Sequence, residues 1–145
     1  SKQLQHRHNL TILTTNLLTA LELETNTDHN VYIVGGHLRD GKVEGGVAEE
    51  NISAFQIDTA FVSCRGFDQN FGASEILESE ATMKRIVKHH TKQLVLLADG
   101  TKLGKRFLFQ GLAPRDIDTL VTNQPVSKEM GKFLSASGIE CLDGD

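Results

Sequence analysis

The sequence LVLLADGTKLGKR, residues 94–106, decides the fold because it joins a buried strand to a polar loop. Five apolar residues run from Leu94 to Ala98 without a polar break, which is typical of a strand covered on both faces. The run stops at Asp99-Gly100, a turn signal, and a threonine and a lysine follow. In an open parallel sheet, ligands bind at the loops that leave the carboxyl ends of the strands. The stretch therefore predicts a parallel sheet with a polar binding loop at its edge.

The same alternation of strands and helices runs through the rest of the chain. Short apolar or β-branched runs predict further strands at residues 10–15, 31–34, 58–64, 118–122 and 139–142. Apolar residues at helical spacing predict helices after residue 16 and at residues 45–55, 78–90 and 127–137. Asn16 and Ser127 stand where they can cap two of these helices. The pattern predicts an α/β fold, and we expect a Rossmann-like, mostly parallel sheet with helices on both faces.

The composition limits the possible functions. A chain of 145 residues, 39% hydrophobic and 23% charged, has the size and composition of one globular domain. Its net charge of −4 argues against direct DNA binding, because domains that bind the phosphate backbone carry positive charge. No apolar run approaches the roughly 20 residues of a membrane span, and the first ten residues lack the apolar region of a signal peptide. We therefore expect a cytoplasmic protein without membrane or direct DNA contacts.

The cysteines and histidines do not follow a metal-site pattern. Cys64 and Cys141 are far apart in the sequence and each lies in an apolar run, which favours two core thiols over a disulfide or half a metal site. The histidines at positions 6, 8, 89 and 90 have no cysteine or carboxylate at ligand spacing nearby. We expect neither a metal ion nor a cofactor.

Glycines and charged residues follow the carboxyl ends of four predicted strands. Glycines let the backbone approach a ligand, and Arg and Lys supply positive charge, which together suit a phosphate. Each loop alone is explained by ordinary turn chemistry, since no Walker A sequence and no G-x-G-x-x-G is present. Four such loops at one sheet edge indicate a small polar ligand. The candidate ligand-binding residues are Asn16, Gly35, Gly36, Arg39, Arg65, Gly66, Asp68, Asp99 and Lys102.

Two further candidates lie on the helix predicted at residues 78–90. Glu80 and Lys84 are four residues apart, so they lie on one helix face, where a surface ion pair is their ordinary explanation. In the functional interpretation, both side chains project toward the cleft at the sheet edge. We therefore include both among the candidate ligand-binding residues.

Six segments, taken in order, carry a family resemblance. They read ILTTN, VYIVGGHLR, DTAFVSCRGFDQNFG, ESEATMKRIV, LVLLADGTKLGKR and IDTLVTN. This order resembles the effector-sensing domain of DeoR-type transcriptional regulators, over about residues 10–123. The resemblance implies that residues 1–145 form a single sugar-phosphate sensor domain. It also implies that DNA is contacted only by an amino-terminal helix-turn-helix domain, which these residues do not include, and that the effector controls sugar-metabolism genes.

Two more expectations follow from this resemblance. Such domains carry a phosphate loop, rich in glycine and threonine, on a strand that would precede residue 1, so we expect a domain truncated at its amino end. Regulators of this type read DNA as symmetric oligomers, so we also expect a homo-oligomer.

The middle of the chain is also similar to ribose-5-phosphate isomerase, which makes a sugar-phosphate isomerase the alternative function. The enzyme's DGADE loop corresponds to residues 65–68, its catalytic glutamate falls near Glu80, and its DESK loop corresponds to residues 99–102. However, Arg65 replaces an acid of the enzyme, and NFGASEI replaces its lysine- and glycine-rich phosphate loop. An isomerase needs a base and an electrophile that are both positioned around its enediolate intermediate. We therefore expect a binding pocket, with Lys102 as its cationic contact and Asp99 positioning Lys102 or a hydroxyl, rather than an enzyme.

Overall fold

A computed structural model describes residues 2–144, which fold into two compact units. The first unit ends at Ala54 and the second begins at Phe55. Residues 2–144 contain a four-stranded parallel sheet and four α-helices, so the predicted α/β class with a mostly parallel sheet is confirmed. None of the helices in this range has the length and apolar character that crossing a bilayer requires.

The first unit contains two strand pairs and two α-helices. Its elements are a 3-10 helix Lys2–His6, β1 Thr11–Thr14, α1 Leu17–Asn26, β2 Asn30–Ile33, β3 His37–Arg39, β4 Lys42–Glu44 and α2 Gly46–Ser53. Strands β1 and β2 pair in parallel. Asn16 caps α1 as predicted, since its side-chain oxygen accepts a hydrogen bond from the Thr19 N–H at 2.9 Å. Helix α1 buries Ala20 and Leu23.

The hairpin of β3 and β4 was not predicted. Asp40 and Gly41 form its two-residue turn, with φ angles of 49° and 76°. Positive φ at both turn positions matches the twist of the flanking strands, and Asp-Gly is a preferred pair there. The hairpin hydrogen-bonds to the end of β1, because Val43 N–H donates to the Thr15 carbonyl at 2.8 Å and Leu17 N–H donates to the Gly41 carbonyl at 3.0 Å.

The second unit contains the main sheet. Its elements are β5 Ile57–Ser63, β6 Gly66–Asp68, β7 Gly72–Glu75, α3 Glu78–His89, β8 Thr91–Leu97, β9 Phe109–Leu112, a 3-10 helix Pro114–Asp116, β10 Thr119–Thr122, α4 Lys128–Ala136 and β11 Glu140–Asp143. The parallel sheet has the strand order β11-β10-β8-β5. Helix α3 packs on β8 and on β7 and β9, and α4 packs on β11.

The core of the second unit is built on the apolar run of β8. Leu94 and Leu96 are fully buried, and they cluster with Leu120 of β10 and Leu134 of α4. Burial of a leucine side chain stabilises the fold by roughly 1.5–3 kcal/mol. Ser127 caps α4 as predicted, since its hydroxyl accepts a hydrogen bond from the backbone N–H of Met130. The predicted strands and helices are thus confirmed to within a few residues.

A three-stranded antiparallel sheet, with the order β6-β7-β9, departs from the prediction. Residues 65–68 were expected to form a loop, but Gly66–Asp68 forms β6 and pairs with β7. Each of these strands has only three or four residues, and β6 and β7 begin with glycine, so no alternating pattern marks them in the sequence. The antiparallel sheet therefore depends on tertiary pairing rather than on local propensity.

Candidate functional site

The candidate site of the second unit lies where β5 and β8 end. Ser63 pairs with Leu97 in the parallel register, so the loops that follow these two strands begin side by side. The loop after β10 joins them, because Gly100 N–H donates a hydrogen bond to the Asn123 side-chain oxygen at 2.9 Å. The sheet therefore brings residues 65–68 and 99–102 together at one edge, as the sequence predicted. The prediction of four loops at the edge of one sheet is wrong, because β1 and β2 pair in a separate two-stranded sheet.

The two loops are connected through their backbones. Phe67 N–H donates to the Lys102 carbonyl at 2.9 Å, and Gly104 N–H donates to the Phe67 carbonyl at 2.8 Å. Gly66 makes this approach possible, because a Cβ on it would lie 2.5 Å from the carbonyl oxygen of Lys105. The structure thus gives Gly66 a packing function, and its contact with a ligand stays a prediction.

Asp99 is held within its own loop. One of its carboxylate oxygens accepts hydrogen bonds from the backbone N–H of Thr101 at 2.9 Å and from the Thr101 hydroxyl. These hydrogen bonds, and to a smaller extent the charge of Lys102, hold the pKa of Asp99 below its usual value. The other carboxylate oxygen lies 3.7 Å from the Lys102 ammonium. Asp99 is therefore held mainly by Thr101, and its predicted role in positioning Lys102 or a hydroxyl stays a prediction.

Two cations stand at this edge. The side chain of Lys102 is 29% exposed, and its ion pair with Asp99 is longer than a hydrogen bond. Arg65 is exposed, and its backbone N–H donates to the Ser74 carbonyl at 3.1 Å. Within residues 2–144, neither a hydrogen bond nor an ion pair occupies the Arg65 guanidinium. Both charges are thus available to an incoming anion.

Asp68 shapes a turn. Its Oδ1 accepts hydrogen bonds from the N–H groups of Asn70 and Phe71, both at 2.9 Å, and from the Arg106 guanidinium at 2.7 Å. The guanidinium also lies 5.3 Å from the centre of the Phe71 ring. Burial alone would raise the pKa of Asp68, but these hydrogen bonds together lower it. Asp68 therefore stabilises the turn at residues 68–71, and its contact with a ligand stays a prediction.

Lys84 forms an ion pair with a residue that the sequence analysis did not single out. Its ammonium lies 2.8 Å from the Glu75 carboxylate, which is buried. The expected surface pair with Glu80 is not formed among the described residues, because β7 brings Glu75 against α3 and places an acid closer to Lys84. Glu80 is half-buried and raises the pKa of Glu75, although burial is the larger cause.

Cys64 lies at the start of the loop after β5 and is buried. Burial, followed by the charge of Glu75, raises the pKa of its thiol to about 12, and Lys102 and Lys84 oppose this shift. Charged residues of β7, α3 and the Asp99 loop therefore all act electrostatically on the Cys64 thiol. Cys64 and the half-buried Cys141 are both free thiols in contact with the core, as predicted.

The remaining candidates lie in the first unit. Asn16 caps α1, and Arg39 forms an ion pair with Glu44 across the β3–β4 hairpin at 3.0 Å. Gly36 has a φ of 151°, and a Cβ there would lie 2.9 Å from Val43 Cγ1. The carbonyl of its neighbour Gly35 accepts a hydrogen bond from an asparagine side chain of α2 at 3.2 Å. These residues have structural functions, and their contacts with a ligand stay predictions.

Sequence reasoning missed two residues of the second unit, Glu75 and Arg106. Arg106 belongs to the basic cluster that follows β8, but nothing local distinguishes it from a solvated cation. Glu75 lies in a strand in which every residue is buried. An ionised side chain is seldom fully buried unless it is paired, so recognising Glu75 requires knowing the strand that contains it.

Comparison of the sequence with known proteins identifies its family. The family model described as "DeoR C terminal sensor domain" matches residues 1–124. The chain is similar to the HTH-type transcriptional regulator GolR of Listeria innocua, with 29% identity over 96% of this chain and 56% of that protein. It is also similar to the HTH-type transcriptional repressor GlcR of Bacillus subtilis, with 26% identity over 91% of this chain and 52% of that protein.

A third relative is the glycerol-3-phosphate regulon repressor of Escherichia coli, with 27% identity over 84% of this chain and 49% of that protein. The chain thus spans about half the length of the curated relatives that it matches. These relatives are named as transcriptional regulators rather than enzymes. Because the family model covers most of the sequence, the chain belongs to the DeoR C terminal sensor domain family.

Proposed function

We propose that this chain binds a phosphorylated sugar at the carboxyl ends of β5 and β8 and is the effector-sensing part of a regulator of sugar-metabolism genes. The observation that carries the proposal is the pair of available cations at this edge, Arg65 and Lys102. Their loops are joined by backbone hydrogen bonds at residues 67 and 102–104. The backbone hydrogen bonds hold the two loops together before an anion arrives, so the ordering cost of binding falls on the two side chains.

Each group in the site has a distinct function in this proposal. The phosphate lies against Lys102 and Arg65, which provide charge-assisted hydrogen bonds. Asp99 keeps Lys102 in place and accepts a hydrogen bond from a sugar hydroxyl. Glu80 and Lys84 of α3 contact the unphosphorylated part of the sugar.

The names of the relatives support a ligand of this class. One relative is a glycerol-3-phosphate regulon repressor, and glycerol 3-phosphate carries a phosphate and hydroxyl groups. The other half of such a regulator would contact DNA, because this part has a net charge of −4. We further propose that the regulator is a cytoplasmic homo-oligomer.

The alternative of a sugar-phosphate isomerase is not favoured. The family and the relatives are transcriptional regulators, and Arg65 stands where the resemblance to the isomerase would require an acid. A turnover assay with ribose 5-phosphate separates the two functions, because an enzyme would convert this substrate whereas a sensor would only bind a sugar phosphate.

A thermal-shift screen of phosphorylated sugars tests the proposal. A ligand at 100 times its dissociation constant stabilises a protein by about 2.7 kcal/mol, which corresponds to roughly 5–10 °C for a chain of this size. The same sugars without phosphate, and inorganic phosphate alone, are the controls. We expect stabilisation by at least one sugar phosphate that exceeds both controls. Equal shifts with phosphorylated and unphosphorylated sugars, or no shift with any compound, would contradict the proposal.

A further inference from the structure

Glu75 of β7 and Lys84 of α3 form a buried ion pair, and both act electrostatically on Cys64 at the end of β5, as Lys102 of the site does. The Glu75 side chain is 2% exposed and the Lys84 side chain 15% exposed, and their charged atoms are 2.8 Å apart. Burial of two opposite charges is costly unless they stay paired, and removing one partner leaves an uncompensated charge. Glu75 and Lys84 therefore stabilise each other as a pair.

The aliphatic part of the Lys84 side chain packs against β9, on the way to Glu75. A Cβ on Gly111 of β9 would lie 3.2 Å from Lys84 Cδ, so the glycine leaves space for the lysine stem against β9. The ammonium is thus directed toward the carboxylate instead of toward solvent. Both partners are fixed by packing, and Glu75 controls how much positive charge Lys84 presents.

The cations of the site consequently differ. Lys102 and Arg65 are available to an anion, whereas the charge of Lys84 is neutralised at 2.8 Å by Glu75. A phosphate group brought to Lys84 would also meet the Glu75 carboxylate, and two like charges at close range repel each other. Uncharged hydroxyl or carbonyl groups meet no such repulsion.

We propose that Glu75 is a positioning residue that neutralises Lys84 and thereby restricts the effector to a single phosphate group, bound at Lys102 and Arg65. Lys84 then receives a hydroxyl or carbonyl oxygen of the sugar. The restriction to one phosphate rests on the function proposed above, whereas the neutralisation of Lys84 does not.

The pH dependence follows from the surroundings of Glu75. The titratable groups that act on Glu75 are Lys84 and Glu80 of α3, and Glu75 in turn acts on Cys64 at the end of β5, where Lys102 and Asp99 also act. Burial, only partly offset by Lys84, raises the pKa of Glu75 above its usual value. Protonation of Glu75 removes its negative charge, so anion binding at Lys84 should strengthen as the pH falls through this pKa.

The variant Glu75→Gln tests the neutralisation without any sugar. The probe is sodium sulfate, a dianion whose charge does not change between about pH 5 and 8, and the amide resonances of α3 and β9 report its binding. We expect Glu75→Gln to bind sulfate near Lys84 at least about tenfold more tightly than the unaltered chain, equivalent to about 1.4 kcal/mol. Glu78→Gln is the matched control, because it removes the same charge from an exposed position at the start of α3.

A second substitution and a pH series complete the test. Adding Lys84→Met to Glu75→Gln should abolish the gained sulfate binding. In the unaltered chain, sulfate binding near Lys84 should strengthen as the pH falls, and in Glu75→Gln this strengthening should be smaller. Equal sulfate binding in Glu75→Gln and in the unaltered chain would overturn the proposal. If Glu75→Gln does not fold, a flat pH profile of the unaltered chain would overturn it equally.

The restriction to one phosphate is tested separately with fructose 6-phosphate, fructose 1-phosphate and fructose 1,6-bisphosphate. We expect the bisphosphate to stabilise the unaltered chain less than the better monophosphate does, and Glu75→Gln to reduce this difference. Preference of the unaltered chain for the bisphosphate would overturn the restriction. If no sugar phosphate from any screen binds, the proposed function and the restriction fail, while the sulfate experiment still decides whether Glu75 neutralises Lys84.

Discussion

Replacing Gly66 by alanine tests how the structure joins the two loops of the site. An added Cβ would lie 2.5 Å from the Lys105 carbonyl oxygen, 2.8 Å from its carbonyl carbon and 3.0 Å from the Phe107 ring. The first two atoms belong to the backbone, so no side-chain rotation relieves the overlap. The segment from Lys102 to Lys105 must therefore move away from β6.

The cost of this movement can be estimated from the contacts that it disrupts. Overpacking in a well-packed region costs about 1–3 kcal/mol. The two backbone hydrogen bonds of Phe67, to the Lys102 carbonyl and from the Gly104 N–H, contribute about 0.5–1.5 kcal/mol each. We expect Gly66→Ala to lose about 2–6 kcal/mol of unfolding free energy and to weaken the binding of a sugar phosphate, because Lys102 is displaced.

Urea denaturation measures the stability change. With a slope of about 2 kcal/mol/M, a loss of 2 kcal/mol lowers the midpoint by about 1 M. Gly131→Ala in α4 is the matched control, since its Cβ would approach no atom more closely than Val126 Cγ2 at 3.8 Å. Alanine in a helix is favoured over glycine by about 0.5–1 kcal/mol, so the control should be slightly more stable than the unaltered chain. A Gly66→Ala midpoint at or above the original one would refute the reasoning.

Three further predictions concern single groups. Ser127→Ala should cost about 1 kcal/mol of unfolding free energy by urea denaturation, because it removes the acceptor for the Met130 N–H; an unchanged midpoint would contradict the cap. Cys64 should resist iodoacetamide in the native chain at pH 8 and react in urea, because burial raises the pKa of its thiol to about 12; rapid native labelling would contradict this. The pKa of Asp68 is lowered in the folded state, so its contribution is present above its unfolded pKa of about 3.9 and is lost as the pH falls through the folded value. The stability difference between the unaltered chain and Asp68→Asn should therefore be larger at pH 7 than at pH 2, and a difference that grows on acidification would be inconsistent with the Arg106 pair.

The parallel sheet could be predicted from the sequence because its strands carry a strong local pattern. The run from Leu94 to Ala98 has no polar residue, and all of it is buried except Leu97, which is 41% exposed, so β8 is covered on both faces only from Leu94 to Leu96. A strand covered on both faces needs such a run. The caps Asn16 and Ser127 could be predicted for a similar reason, since a side-chain oxygen just before a helix satisfies a free N–H.

The antiparallel strands could not be found in the same way. Strand β6 has three residues, and its neighbours β7 and β9 have four each, which is too short for a periodic signal. Their pairing depends on contacts distant in sequence, such as Ala73 with Leu112. The β3–β4 hairpin differs, because the pair Asp40-Gly41 is a local turn signal that could have identified it.

The candidate site was predictable only in part. Residues 99–102 follow a clear strand, so their position at the sheet edge could be derived. The pairing of Lys84 with Glu75 could not, because the short strand β7 brings the acid against α3. Sequence spacing favoured Glu80 as the partner of Lys84, since helix neighbours are visible in a sequence and strand-to-helix neighbours are not.

Calorimetric titration of Lys102→Ala with the sugar phosphate that most stabilises the unaltered chain tests the central claim most directly. Lys92→Ala is the matched control, because Lys92 is 68% exposed, pairs only with the exposed Asp58 among the described residues, and carries the same charge. A charge-assisted hydrogen bond contributes about 1.5–3 kcal/mol, so Lys102→Ala should weaken binding by roughly 10- to 150-fold, while Lys92→Ala should leave the affinity unchanged. An unchanged affinity in Lys102→Ala would contradict the placement of the phosphate at the ends of β5 and β8.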